Sequence, residues 1–253
     1  MNELLPAAIL FLVLTCAFFW WNRPASHIAA AGRAWRRGDE PGTLAEFLKA
    51  HRVGRLGADP TVTLAYLLLK AGRTDEAGTL LETALAGNPK KKPLKEADRQ
   101  LLETYRSLVL WKRGQVTQAV GLLEGLLAAG YRTAALYGNL GFFLLETGDL
   151  ARAEVLCREA VEWDPQGKVL LDNLGSYYRA AGIWDKASET YAKLLDLDPV
   201  FPEAWYGAGV VSLRTGDPAE ARRRWTRALE LPFHALTTVE RSAVDRALSV
   251  GTP

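Results

Sequence analysis

Residues 139–148 read NLGFFLLETG and residues 173–182 read NLGSYYRAAG. The two stretches begin 34 residues apart, open on the same three letters and close on a glycine. Outward from them the same interval returns. Gly114, Gly148, Gly182 and Gly216 are each 34 apart, as are Ala119, Ala153, Ala187 and Ala221. A third ladder runs through Leu126, Ala160, Leu194 and Ala228, and a fourth through Ser107, Gly141, Gly175 and Gly209. Asp-Pro recurs at 164–165 and 198–199. Ladders in one register are the mark of a repeated supersecondary unit, whose copies bury their apolar faces only by stacking.

The order of residues within the period resembles the tetratricopeptide repeat (TPR). One unit reads Tyr137, Leu140, Gly141, Leu144, Ala153, Cys157, Ala160 and Pro165, the next Leu171, Leu174, Gly175, Tyr178, Ala187, Tyr191, Leu194 and Pro199. A third gives Trp205, Ala208, Gly209, Ser212, Ala221, Trp225 and Ala228. Units at 58–91 and 100–133 are weaker, and the register slips by eight residues between them at KKKPLKEA, a basic loop with a helix extension. Residues 23–57 form a linker and a degenerate helical hairpin, and 236–253 a capping helix and tail that covers the last repeat with Val239, Val244 and Leu248. The resemblance implies an all-α right-handed superhelical solenoid of helix-turn-helix repeats, each with a helix A and a helix B. Glycine closes helix A in a left-handed conformation. Gly141 and Gly175 sit inside helix A, where glycine costs about 1 kcal/mol relative to alanine, and the expected compensation is close approach of two backbones.

Residues 4–21, LLPAAILFLVLTCAFFWW, carry no charge and as a helix would reach roughly 27 Å, enough to enter a bilayer core. This reading makes 1–22 a transmembrane anchor, and the arginines after it place the rest of the chain in the cytoplasm, as a single-pass protein of a bacterial inner membrane. A cleaved signal peptide is the competing reading. Apolar residues make up 49% of the chain, charged residues 24%, and the net charge is +2. That balance excludes a disordered chain and the strong basic excess of a dedicated nucleic-acid binder.

Nothing in the sequence assembles a catalytic or metal-ligating set. His27, His51 and His234 are scattered, Cys157 occupies a packing position, and the glycines belong to the repeat. No enzyme activity, cofactor or metal is expected. The resemblance instead implies a concave groove, lined by helix A residues, that receives a peptide or protein. Asn139 and Asn173 hold matching helix A positions there, and an amide both donates and accepts hydrogen bonds. Tyr66, Lys70, Lys112, Phe142, Arg179, Tyr206 and Arg214 complete the candidate groove. The Asn pair also reads as a cap on local backbone, and the others as a solvated surface. The expected function is therefore a membrane-tethered scaffold or adaptor for an envelope complex. The alternatives are a self-associating subunit of such a complex and an exported TPR protein.

Overall fold

The computed structural model describes residues 23–54, 56–87 and 93–250, and every regular element among them is an α-helix. Two helices, α1 (Arg23–Arg36) and α2 (Glu40–Val53), precede the repeats. Five hairpins follow: α3 (Ala58–Lys70) with α4 (Thr74–Ala86), α5 (Glu96–Lys112) with α6 (Val116–Ala128), α7 (Ala134–Glu146) with α8 (Leu150–Trp163), α9 (Lys168–Ala180) with α10 (Trp184–Asp196), and α11 (Pro202–Arg214) with α12 (Pro218–Glu230). Helix α13 (Arg241–Val250) ends the described chain.

The expected membrane tether is corrected. Among the described residues no helix is long and apolar enough to cross a membrane, and the segment expected to do so, 4–21, lies outside the described residues. The single-pass localisation, its cytoplasmic orientation and the membrane as a partner rested on that segment and are dropped. What stands is an all-α TPR-like solenoid. Lys90, Lys91 and Lys92 also lie outside the described residues, while Lys95 is exposed just ahead of α5. Helix α5 has 17 residues where the later A helices have 13, so the eight-residue slip includes a longer helix start.

The chain divides into two compact units. The first takes residues 1–68 and 76–102, the second 69–75 and 103–253. In the first, α1 and α2 form a hairpin with Ala31, Ala34, Phe47 and Ala50 buried, and His27 Nδ1 lies 2.7 Å from Glu46 Oε2. The second unit holds the regular repeats.

Local signals in the second unit set the helix ends. Gly148 and Gly182 adopt φ of 74° and 73°, a region costly for any residue with a Cβ, and so turn the chain out of α7 and α9. Thr133 and Asp149 cap the next helices, their side chains accepting from Leu136 N and Arg152 N. Ala153, Ala187 and Ala221 are wholly buried, which lets each B helix lie close to its A helix. Tyr191 fills the space between its own hairpin, at Gly175, and the next, at Gly207, while Trp225 packs between Gly209 of its own hairpin and Val244 of α13.

The helix-interior glycines have a different reason from the expected backbone approach. A Cβ on Gly175 would stand 2.9 Å from the Tyr191 ring, and one on Gly209 would collide with the Trp225 indole. A Cβ on Gly141 would stand 2.8 Å from Asn173 Nδ2 and 3.4 Å from Cys157 Sγ. These glycines make room for side chains: a helix B aromatic in two cases, the next repeat's asparagine in the third. Cys157 is itself buried, which pushes its thiol up to about 12 and leaves it without thiolate character.

The C-terminal cap starts later than expected. Residues 231–240 are non-helical, with a turn at 234–237 closed by Thr237 N donating to His234 O at 2.9 Å, and α13 begins only at Arg241. Val244 is fully buried against Trp225, with Val239 and Leu248 beside it.

Candidate functional site

Three features involve the A helices of the second unit. The first is a joint. Asn173 is 6% exposed and its Nδ2 donates to Gly138 O at 2.8 Å, over the space that Gly141 leaves. Asn139 repeats the bond more loosely, donating to Thr104 O at 3.4 Å. The repeated N of NLG therefore ties α9 to α7 and, more loosely, α7 to α5. The expectation that these amides hold a ligand backbone is corrected to this extent: their donors engage the protein's own carbonyls, because a helix A position flanks the preceding helix as closely as it flanks the groove.

The second feature is a strap. Residues 231–240 leave α12 and bond to Lys70, Lys112 and Glu203 of three A helices. Ala235 N donates to Lys70 O at 3.0 Å, and Lys112 Nζ donates to Ala235 O at 2.7 Å. Thr238 N donates to Glu203 Oε1 at 2.7 Å. Lys70 and Lys112, proposed as groove residues, thus meet at one strap residue, Lys70 through its carbonyl and Lys112 through its ammonium. The ammonium also lies 4.8 Å from the Trp111 ring centroid, and Trp111 meets Phe142 edge to face at 5.0 Å.

The third feature is a cavity of about 460 Å³ between α7, α9, α11 and the C-terminal residues 238–246. It brings together four of the expected residues, Phe142, Asn173, Arg179 and Tyr206. Arg214 is elsewhere, stacked 5.3 Å from the Trp184 ring centroid. Tyr66 is exposed and belongs to the first unit.

Sequence reasoning missed Asp172, Ser176, Tyr191 and Glu203, which also line the cavity. A signal was present: Asp172, Ser176 and Arg179 follow i, i+4, i+7 spacing and so share one face of α9. Burial, reinforced by the Glu203 charge, raises the Asp172 carboxyl to about 7, with Arg179 pulling the other way. Burial also raises Glu203, opposed by its hydrogen bonds from Thr238. Tyr191 is raised by burial, its hydroxyl 3.1 Å from Ser176 Oγ. Asp172 Oδ1 and Arg179 Nε are closed to solvent and have no hydrogen-bond partner. No group of His, Cys, Asp and Glu suited to hold a metal occurs among the described residues.

Known proteins can now be compared. The chain is 35% identical over 92 residues to cellulose synthase operon protein C of Pseudomonas fluorescens (strain SBW25), a match covering 36% of this chain and 7% of that protein. It is 37% identical over 81 residues to BBSome complex member BBS4 of Bos taurus, covering 32% of this chain and 16% of that protein. The chain thus spans a small fraction of either relative. Its fold is similar to the crystal structure of a thermophilic TPR protein in Thermus thermophilus, with a TM-score of 0.60 and 22% identity over 77% of this chain and 98% of that one. Models described as tetratricopeptide repeat match residues 58–83, 106–168 and 173–232, more than half of the sequence, and the chain belongs to the tetratricopeptide repeat family.

Proposed function

We propose that this chain is a protein-interaction scaffold whose inner side receives a non-helical polypeptide segment of a partner. The match is to a non-catalytic repeat fold of the scaffolding kind. The observation that carries the reading is the strap: the inner side already grips one irregular segment, its own, through main-chain groups. Ala235 offers both its N–H and its carbonyl, and Thr238 its N–H. Such a grip is indifferent to side chains, and so suits another segment equally well. In this reading Lys112, Phe142 and Tyr206 contact the partner, with Arg179 in the cavity beside them, and Asn139 and Asn173 hold the frame.

The test uses the strap as its own probe. Ala235 is the second residue of the 234–237 turn, a position that suits proline, and Ala235→Pro deletes the N–H that binds Lys70 O. A synthetic, dye-labelled peptide of residues 231–246 is titrated against this variant and followed by fluorescence anisotropy. Saturable binding is expected, weaker to the unmutated chain whose site is filled, and weaker again when Lys112→Ala is added. No binding to the Ala235→Pro chain overturns the reading.

A second reading is a fixed subunit of a larger assembly. The occupied inner side favours it, and so does the name of one relative, a member of the BBSome complex. Under it the exposed outer residues carry the contacts, Val155 at 67% exposure among them. Val155→Asp would then abolish assembly measured by light scattering, and Ala235→Pro would leave it unchanged.

A further inference from the structure

We propose that the cavity beside the strap is a recognition pocket for a basic side chain, arginine or lysine, of the partner segment, whose cation enters between Asp172 and Glu203. This rests on the scaffold reading and names the chemistry its partner must carry. The lining is unbalanced: Glu146, Asp172, Glu203 and Glu240 face the arginines Arg179 and Arg246. Charge alone would be a weak argument, because acidic side chains on a wet surface need no ligand. The orphaned atoms add an independent one. Asp172 lines the cavity, and its Oδ1, in the cavity wall, is closed to solvent and accepts no hydrogen bond. Leaving a buried polar atom unpaired costs on the order of a lost hydrogen bond, more when the group is charged. A guanidinium or ammonium supplies the missing donor and the missing charge together. Arg179 Nε is orphaned as well and needs an acceptor. A residue inside a peptide brings its own carbonyl, so a basic residue of a polypeptide meets both deficits where a free cation meets one.

The protonation state supports the geometry. The charged and hydroxyl groups that line the cavity with Asp172 are Ser176 and Arg179 on its own helix, Tyr191 of α10, Glu203 and Tyr206 of α11, Glu146 of α7, and Thr238, Glu240 and Arg246 of the C-terminal region, with Glu203 and Arg179 acting on its charge. With a carboxyl near 7, Asp172 is partly protonated at neutral pH. A cation favours its ionised form, so binding releases a proton and tightens as pH rises.

The experiment titrates the intact chain with N-acetyl-arginine-N-methylamide and, separately, with its citrulline counterpart, which keeps the shape and removes the charge. Isothermal titration calorimetry reads both. The arginine compound is expected to saturate and to bind at least roughly tenfold more tightly than citrulline, the worth of one charge-assisted hydrogen bond. The advantage should grow between about pH 6 and pH 8 and disappear in Asp172→Asn, whose fold is checked by its melting curve. Equal binding of the two compounds, no saturation by either, or an arginine preference that survives Asp172→Asn overturns the proposal. The comparison on the unmutated chain decides even if the variant does not fold. If the strap peptide binds in trans while arginine and citrulline are indistinguishable, the pocket falls and the scaffold stands. If arginine binds and the strap peptide does not, the scaffold reading fails on its own test.

Discussion

The joint between α7 and α9 and the strap across the inner side use the same kind of bond to opposite ends. Asn173 Nδ2 reaches Gly138 O at 2.8 Å, and Thr238 N reaches Glu203 Oε1 at 2.7 Å. Distance does not separate them; surroundings do. The Asn173 amide lies over Gly141 in a buried bond, and the residue is 6% exposed, so breaking the bond strands a donor with little access to water. The strap bonds of Lys112 and Thr238 are exposed, so water replaces either partner when they open. The joint is therefore permanent and the strap exchangeable. Adjacent residues on α9 show the contrast at its sharpest: Asn173 donates to its own chain, and Asp172 beside it, in the cavity wall, keeps one buried oxygen without a partner.

The largest expected effect comes from the core that joins the last hairpin to the strap and α13. Trp225 is 2% exposed, its Nε1 donates to Tyr206 O at 3.1 Å, and Val244 packs on it. Trp225→Ala should lower the urea-unfolding free energy by about 3–5 kcal/mol and loosen α13 with it. A loss below about 1 kcal/mol would show that the last hairpin is not packed as described.

Next comes Asp172. Its carboxyl is raised in the fold from 3.8 to about 7. A raised carboxyl leaves stability intact below its unfolded value and removes it as pH climbs through the folded one, because the folded state holds the proton longer. Asp172→Asn should therefore stabilise the chain above pH 7, by on the order of 2 kcal/mol, and the gain should shrink to nothing towards about pH 4. Thermal unfolding across that range checks it. A gain that does not vary with pH would show that desolvation of the charge is not the cause.

Smaller effects should sort the two asparagines. Asn173→Ala should cost about 1–2 kcal/mol, since its bond is short and buried. Asn139→Ala, with a 3.4 Å bond in a half-buried position, should cost less than about 0.5 kcal/mol. Equal costs would mean that burial does not set the value of these bonds. Ala235→Pro should change global stability least, within about 0.5 kcal/mol, while freeing the strap.

The fold was legible because stacking imposes a period on small residues: the Gly148 and Ala153 ladders exist only to close and pack hairpins. The site was legible in part. Phe142, Arg179 and Tyr206 were read as groove residues from their position in helix A, and the structure brings them together around one cavity. Asn173 was assigned to a ligand because spacing shows which face a residue occupies, not whether a neighbouring carbonyl is within its reach. Gly141, one repeat earlier, holds that information, since its missing Cβ is the space Asn173 fills. Asp172 was passed over because a charged residue in a helix reads as solvated, and its surroundings are built by residues of other helices, Tyr191 of α10 and Glu203 of α11. The strap was invisible for a plainer reason. Lys112 and Ala235 are 123 residues apart, and no local pattern announces a contact of that range.

The distinction between permanent joint and exchangeable strap is tested most directly by amide hydrogen exchange, followed by NMR on the unmodified chain over a series of low denaturant concentrations. The amides of Ala235 and Thr238 should exchange through local opening, with a free energy well below that of global unfolding and little dependence on denaturant. The buried α9 amides of Leu174 and Gly175 should exchange only through global unfolding. If Ala235 and Thr238 follow the same denaturant dependence as α9, the strap is a fixed part of the core, and the inner side is not a site that another polypeptide can take.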